Sequence, residues 1–163
     1  GDRYETIDAL INNAGVYHQN TILDLGIEEI DQMIDVNLKG TIYCTKFALP
    51  LMEKGSRVIN ISSVSGTHGV PRESVYSASK HGQIGFGDAV SQEMKSEGIL
   101  VTTLCPGAVN TPLWQRHPDL FPDGDLDDMM EPEEIVELVD FLLDQSNETV
   151  YKRVIFFPNC EWH

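Results

Sequence analysis

Short apolar runs alternate along this chain with longer stretches in which apolar residues return every three to five positions. The first run lies in "IDALINNAG" (Ile7–Gly15), which reads as a strand, Ile7–Asn12, entering a glycine-ended loop. From Ile27 to Leu51, the residues Ile27, Ile30, Ile34, Leu38, Ile42 and Phe47 share one face at helical period, so this stretch is predicted as one long helix. Pro50 and Gly55 punctuate its end. "RVINIS" (Arg57–Ser62) is the next strand, and the loop after it contains Gly66, Gly69 and Pro71. A helix is predicted from Ser74 to Glu97, then the strand "ILVTTLC" (Ile99–Cys105), stopped by Pro106-Gly107. Pro132, followed by Glu133 and Glu134, opens a helix reaching Gln145, because proline suits the first helical position and carboxylates favour the positive end of the helix dipole. "VIFF" (Val154–Phe157) is the last strand.

That alternation of strands and helices is the order of an α/β domain with a parallel sheet of about four strands. Strands such as "LVTTLC" are apolar on both sides of the pleat, as burial between helical layers requires. The stretch Asp119–Asp128, with five aspartates among proline and glycine, is expected to be a solvated mobile loop. Its aspartates lack calcium-loop spacing.

Charge narrows the partners. The 163 residues include 26 acidic and 11 basic side chains, a formal net charge of −15. Such a polyanion is repelled by nucleic acid and by anionic membrane surfaces, so neither is expected as a partner. No apolar run approaches the roughly 20 residues of a spanning helix, and no secretory signal opens the chain. Cys44, Cys105 and Cys160 are odd in number and far apart, which points to reduced, mostly buried thiols, a cytoplasmic setting and no metal site. The glycosylation patterns at Asn60 and Asn147 read as chance matches.

The candidate chemistry sits in "NISSVSGTHGVPRESVYSASKHG" (Asn60–Gly82). Tyr76 and Lys80 are one helical turn apart and share a face. A phenol ordinarily titrates near ~10, and an adjacent ammonium is expected to lower that value and let the phenol exchange a proton with an alcohol or carbonyl. Ser63 follows the end of a parallel strand, the edge at which ligands of open α/β sheets bind. Trp114, Leu120 and Phe121 are candidates for an apolar pocket wall.

The motifs "NNAG" (Asn12–Gly15), "VNLKG" (Val36–Gly40), "NISSVSG" (Asn60–Gly66), "YSASK" (Tyr76–Lys80) and "CPGAVNTP" (Cys105–Pro112) together resemble the short-chain dehydrogenase/reductases, in order and in spacing. The resemblance implies a Rossmann-like doubly wound parallel sheet and transfer of hydride between NAD or NADP and a small alcohol or carbonyl substrate. It implies Tyr76 as general acid/base, Lys80 as its partner and the holder of the nicotinamide ribose, and Ser63 as the substrate-oxygen ligand. Asn37 would interrupt its helix and support a proton relay through water and Lys80. Asn12, Ala14 and Gly15 would line the adenine-ribose side, while Pro106, Gly107, Val109 and Thr111 would cradle the carboxamide. A homodimer or homotetramer would form through the helices at 27–51 and 74–97.

One family element is missing. The glycine-rich TGxxxGxG turn occurs nowhere in the chain. Residues 1–163 are therefore expected to be the C-terminal part of the family fold, from an incomplete sequence or a natural short form. Strand Ile7–Asn12 is then expected to be an apolar edge. The alternative function is a non-catalytic truncated homologue acting as an assembly or regulatory module. An epimerase or dehydratase is a third reading, disfavoured by the short segment after Pro112.

Overall fold

The computed structural model describes residues 5–115 and 129–159. Four strands form one parallel sheet in chain order: β1 (Ile7–Asn12), β2 (Met52–Ile61), β3 (Leu100–Pro106) and β4 (Arg153–Phe156). The expected parallel α/β sheet is what the chain forms. Among the described residues five helices connect and flank the strands: α1 (Ile27–Met33), α2 (Thr41–Ala48), α3 (Ser74–Glu93), α4 (Pro112–Gln115) and α5 (Pro132–Asp144).

Strand pleating sorts the core into two layers. Val58 and Val101 pack against Ala48 of α2 and Val90 of α3 on one face. Ile59 and Leu104 meet Leu142 of α5 on the other. Every residue of β3 is buried, as the two-sided apolar pattern requires. Leu142 is the anchor of α5, and a fully buried leucine contributes about 1.5–3 kcal/mol. Beside this helix β1 lies at the sheet edge, with Ile11 exposed.

Three predicted elements differ in detail. The helix expected from Ser74 to Glu97 ends at Glu93. The helix expected over Ile27–Leu51 is four pieces, because a π-helical segment, Ile34–Gly40, lies between α1 and α2 and Leu49–Leu51 closes as a 3-10 turn. A π segment admits an extra residue into the turn, which shifts the helix face without ending the helix. β2 starts at Met52 rather than at Arg57. Ile7 pairs with Met52 but Ala9 with Arg57, so β2 carries an irregularity between them. Gly55 sits inside it at φ +96°, a region that glycine alone adopts without strain.

Cys105 is buried as expected, whereas Cys44 is exposed on α2, because it faces away from the sheet. Cys160 and the Asp119–Asp128 loop lie outside the described residues, as do Leu120, Phe121 and the Trp114 side chain. Asn60 is fully buried, so its glycosylation pattern is closed to modification. Among the described residues no helix is long and apolar enough to cross a membrane.

Candidate active site

Ser63 follows the end of β2 in extended conformation and caps the short 3-10 turn Val64–Gly66, its Oγ accepting from the Ser65 N–H at 3.1 Å. That turn lies directly on α3. A Cβ at Gly66 would come within 2.9 Å of the Lys80 carbonyl oxygen, so only glycine permits the approach. Tyr76 and Lys80 occupy the first turns of α3, and both are buried. Ser63 and Tyr76 face one cleft, where the Ser63 hydroxyl acts on the phenol. Lys80 Nζ donates to the Ile61 carbonyl at 3.0 Å and stands 5.7 Å from the centre of the Tyr76 ring. The structure thus brings Ser63, Tyr76 and Lys80 together at the C-terminal edge of the sheet.

The electrostatics depart from expectation. Burial raises the Tyr76 phenol above its ordinary range; the Ser63 hydrogen bond opposes this and the Glu73 charge reinforces it. The expected lowering by Lys80 is overturned in the chain as it stands. Removing the phenolate from water dominates, and the ammonium is directed at the Ile61 carbonyl. Burial also lowers Lys80 to about 8, with Cys105 acting weakly in the opposite sense. The Cys105 thiol is itself pushed up to about 11, first by burial.

A cleft of about 730 Å³ opens in front of these groups. Gly15, Tyr76, Lys80, Pro106, Gly107, Val109 and Thr111 line it, and α5 contributes Val136, Val139 and Asp140. Asn12 and Ala14 do not line it. Asn12 Nδ2 instead donates to Thr45 Oγ1 at 3.0 Å and to Asn60 Oδ1 at 2.8 Å, on the α2 side of the sheet. Asn13 lines the cleft in its place. Strand alternation could have revealed this, because Ile11 and Asn13 share a face that Asn12 does not. The cleft floor is shallow at Gly15, where a Cβ would lie 3.8 Å from Lys80 Nζ and 3.6 Å from Asn37 Oδ1. A side chain there would fill the space in front of both groups.

Asn37 is fully buried at the centre of the π segment. Its Oδ1 accepts from the Val16 N–H at 2.8 Å, while Nδ2 donates to the Val16 carbonyl at 2.9 Å and to Ser79 Oγ at 3.1 Å. Ser79 donates in turn to the Tyr76 carbonyl at 2.7 Å. The amide therefore ties the loop after β1 to the helix carrying Tyr76 and Lys80. Among the described residues no three His, Cys, Asp or Glu side chains converge as a metal site would require.

The sequence pattern described as short chain dehydrogenase matches residues 1–119, the span that contains Asn37, Ser63, Tyr76 and Lys80. The chain belongs to the short-chain dehydrogenase family. Among curated relatives, a 3-oxoacyl-[acyl-carrier-protein] reductase of Synechocystis is 39% identical over 71% of the chain. A sepiapterin reductase of Chlorobaculum tepidum is 34% identical over 96%. The chain spans 47% and 64% of the lengths of these two proteins. Among solved structures, an angucycline C-6 ketoreductase with bound NADP matches 94% of the chain and 62% of its own length, at 26% identity and a TM-score of 0.81.

Two further residues stand at the site without a motif to announce them. Glu73, the cap residue of α3, is buried, and its Oε1 accepts from Tyr17 Oη at 2.8 Å. The Tyr17 ring meets the Tyr76 ring edge-on, with centroids 4.9 Å apart. Their only sequence signal is proximity to "NNAG" and "YSASK".

Proposed function

We propose that this chain carries the catalytic groups of an NAD- or NADP-dependent oxidoreductase that interconverts an alcohol and a carbonyl on a small substrate. The convergence of Ser63, Tyr76 and Lys80 on one cleft at the C-terminal edge of the sheet, with Lys80 one turn along α3 from Tyr76, carries this reading. The relatives add support, since three of them are named as reductases or ketoreductases.

The cleft fits the nicotinamide half of the cofactor. Lys80 is a buried cation with donors to spare for ribose hydroxyls, and the glycine at position 15 leaves room in front of it. Pro106, Gly107 and Val109 would hold the carboxamide end, with the Thr111 hydroxyl as its hydrogen-bonding group. When bound, the cofactor would supply the hydride in reduction and accept it in oxidation. Ser63 holds the substrate oxygen, and Tyr76 gives that oxygen a proton in reduction or takes one in oxidation. A phenol held protonated, as Tyr76 is here, suits reduction. Asn37 fixes α3 against the loop after β1 and would support the relay that returns the proton to Tyr76 through water and Lys80.

NADPH or NADH consumption tests the reading, with a panel of 3-oxoacyl thioesters and cyclic ketones and enough cofactor to load a weak site. Reduction by the parent and its loss in Tyr76→Phe are expected. A phenylalanine variant that keeps its rate would remove Tyr76 from the acid/base role.

Self-association through α1–α2 and α3 belongs to the same proposal, in a cytoplasmic protein. Tyr43 and Phe47 are exposed one turn apart on α2, and Leu51 continues their line. Sedimentation of the parent against Phe47→Glu checks it: a monomer in both would refute it.

A further inference from the structure

Glu73 is a buried carboxylate, and among the described residues no lysine, arginine or histidine pairs with it. Its two oxygens are engaged separately: Oε1 accepts from Tyr17 Oη at 2.8 Å and Oε2 from Ser65 Oγ at 2.7 Å. Each partner touches one member of the reactive pair. The Ser65 N–H donates to Ser63 Oγ at 3.1 Å. The Tyr17 ring stands against the Tyr76 ring at 87°, with centroids 4.9 Å apart. Three segments therefore meet on one carboxylate: the loop after β1, the turn after β2 and the cap of α3.

We propose that Glu73 is a positioning residue that fixes Ser63 through Ser65 and Tyr76 through Tyr17, and that sets a negative charge beside the reactive hydroxyls. The inference rests on reading Tyr76 as the proton donor, and it adds what holds the proton there. A carboxylate near a phenol disfavours the phenolate, because two like charges would share one water-poor site. The same charge acts on Tyr17, whose phenol is raised by burial first and by Glu73 next.

The other groups facing Tyr76 leave room for this effect. Lys80 lies on the same helix with its ammonium on the Ile61 carbonyl, and Ser63 acts on the phenol from the turn after β2. The loop after β1 contributes Tyr17, while α1 and α4 contribute Ile30, Met33 and Leu113, all apolar. Arg72 acts on Tyr17, and Cys105 faces Lys80, with Arg153 and Asp88 acting on Cys105 in turn.

The test places 3,5-difluorotyrosine at position 76, where the ring fluorines acidify the phenol into a pH range in which the fold persists. Its ionisation is followed by fluorine NMR in the full chain. Glu73→Gln keeps the length of the side chain and removes its charge. The expected result is a midpoint about one pH unit lower, a tenfold larger phenolate fraction at a fixed pH. Tyr17→Phe and Ser65→Ala each remove a donor and leave the carboxylate less neutralised, so neither should lower the midpoint. They keep the proposal testable if the glutamine variant does not fold. Coincident midpoints in the parent and Glu73→Gln would overturn it, and so would a drop in either donor variant. Turnover is not read in this experiment. A Tyr76→Phe enzyme with undiminished rate would sink the proton-donor reading while leaving the Glu73 titration as found.

Discussion

Lys80 Nζ donates to the backbone carbonyl of Ile61, the last residue of β2, at 3.0 Å. The site's cation is thereby fastened to the sheet edge by a neutral acceptor, and among the described residues no carboxylate forms an ion pair with it. Stability is given up to hold a positive charge where ribose hydroxyls would arrive.

The cost should be visible as a function of pH. Lys80 titrates near 8 in the folded chain, against an ordinary 10.5. Below pH 8 both states hold the proton and the full penalty applies, roughly 3 kcal/mol. Between pH 8 and about 10.4 the unfolded state binds more protons, so this group's contribution improves as pH rises. Lys80→Met should therefore be more stable than the parent by roughly 3 kcal/mol at pH 7 in urea unfolding, with the difference shrinking toward pH 10. A pH-independent difference would assign the gain to packing. Cys105, pushed up to about 11, loses stability over a partly overlapping range and interacts with Lys80, so the comparison is made in a Cys105→Ala background.

Gly66→Ala should disturb the site without touching a reactive group. The added Cβ would lie 2.9 Å from the Lys80 carbonyl oxygen and 2.9 Å from Ile84 Cδ1. Backbone cannot step aside as a side-chain tip can, so the turn carrying Ser63 must lift from α3. A loss of about 1–3 kcal/mol is expected in thermal or urea unfolding. Faster amide exchange at Ser65 and Gly66 should accompany it, and unchanged stability would show that the turn is free to move.

Much of this was legible in the chain. Apolar runs and helical period located the four strands and the helices that cover them, because burial on one or both faces writes its own pattern. The Ser63, Tyr76 and Lys80 constellation was legible too, since spacing on one helix fixes a shared face. The break of the first long helix was not visible in its periodicity, which continues through the π segment from Ile34 to Leu38. The placement of Asn12 was misread because a motif names residues in sequence, whereas the pleat sends Asn12 and Asn13 to opposite faces. The direction of the Tyr76 shift escaped for another reason. It depends on burial and on Glu73, and no one-dimensional spacing reports either.

Arg57 should prove to be the fastening of α5. It is a buried arginine on β2, and its guanidinium donates to the carbonyls of Gln145 and Ser146 and to Asn147 Oδ1. These contacts satisfy acceptors just past the end of α5, where helical partners run out. Arg57→Met should cost roughly 2 kcal/mol, in line with charged hydrogen bonds. Hydrogen exchange should show the loss concentrated in the last turns of α5. Uniform loosening of the whole sheet would mean that Arg57 acts through β2 instead.

The last expectation concerns the cofactor and this chain as it stands. Tyr76, Lys80, Val109 and Thr111 offer groups for the nicotinamide end, and the cleft is large enough for it. The pyrophosphate is another matter. No TGxxxGxG turn occurs in the sequence, so the nest of N–H groups and the helix N-terminus that such a turn provides are lacking. A net charge of −15 repels the diphosphate at long range as well. Several charge-assisted hydrogen bonds, each worth roughly 1.5–3 kcal/mol, are then missing, which is on the order of a thousandfold or more in affinity. Calorimetry at low salt should find NADPH and reduced nicotinamide mononucleotide both weak and within about tenfold of each other, because the adenylate half gains little here. Micromolar NADPH beside a weak mononucleotide would mean that another surface of this chain binds the phosphates, and mutating the basic residues nearest the cleft would then locate it.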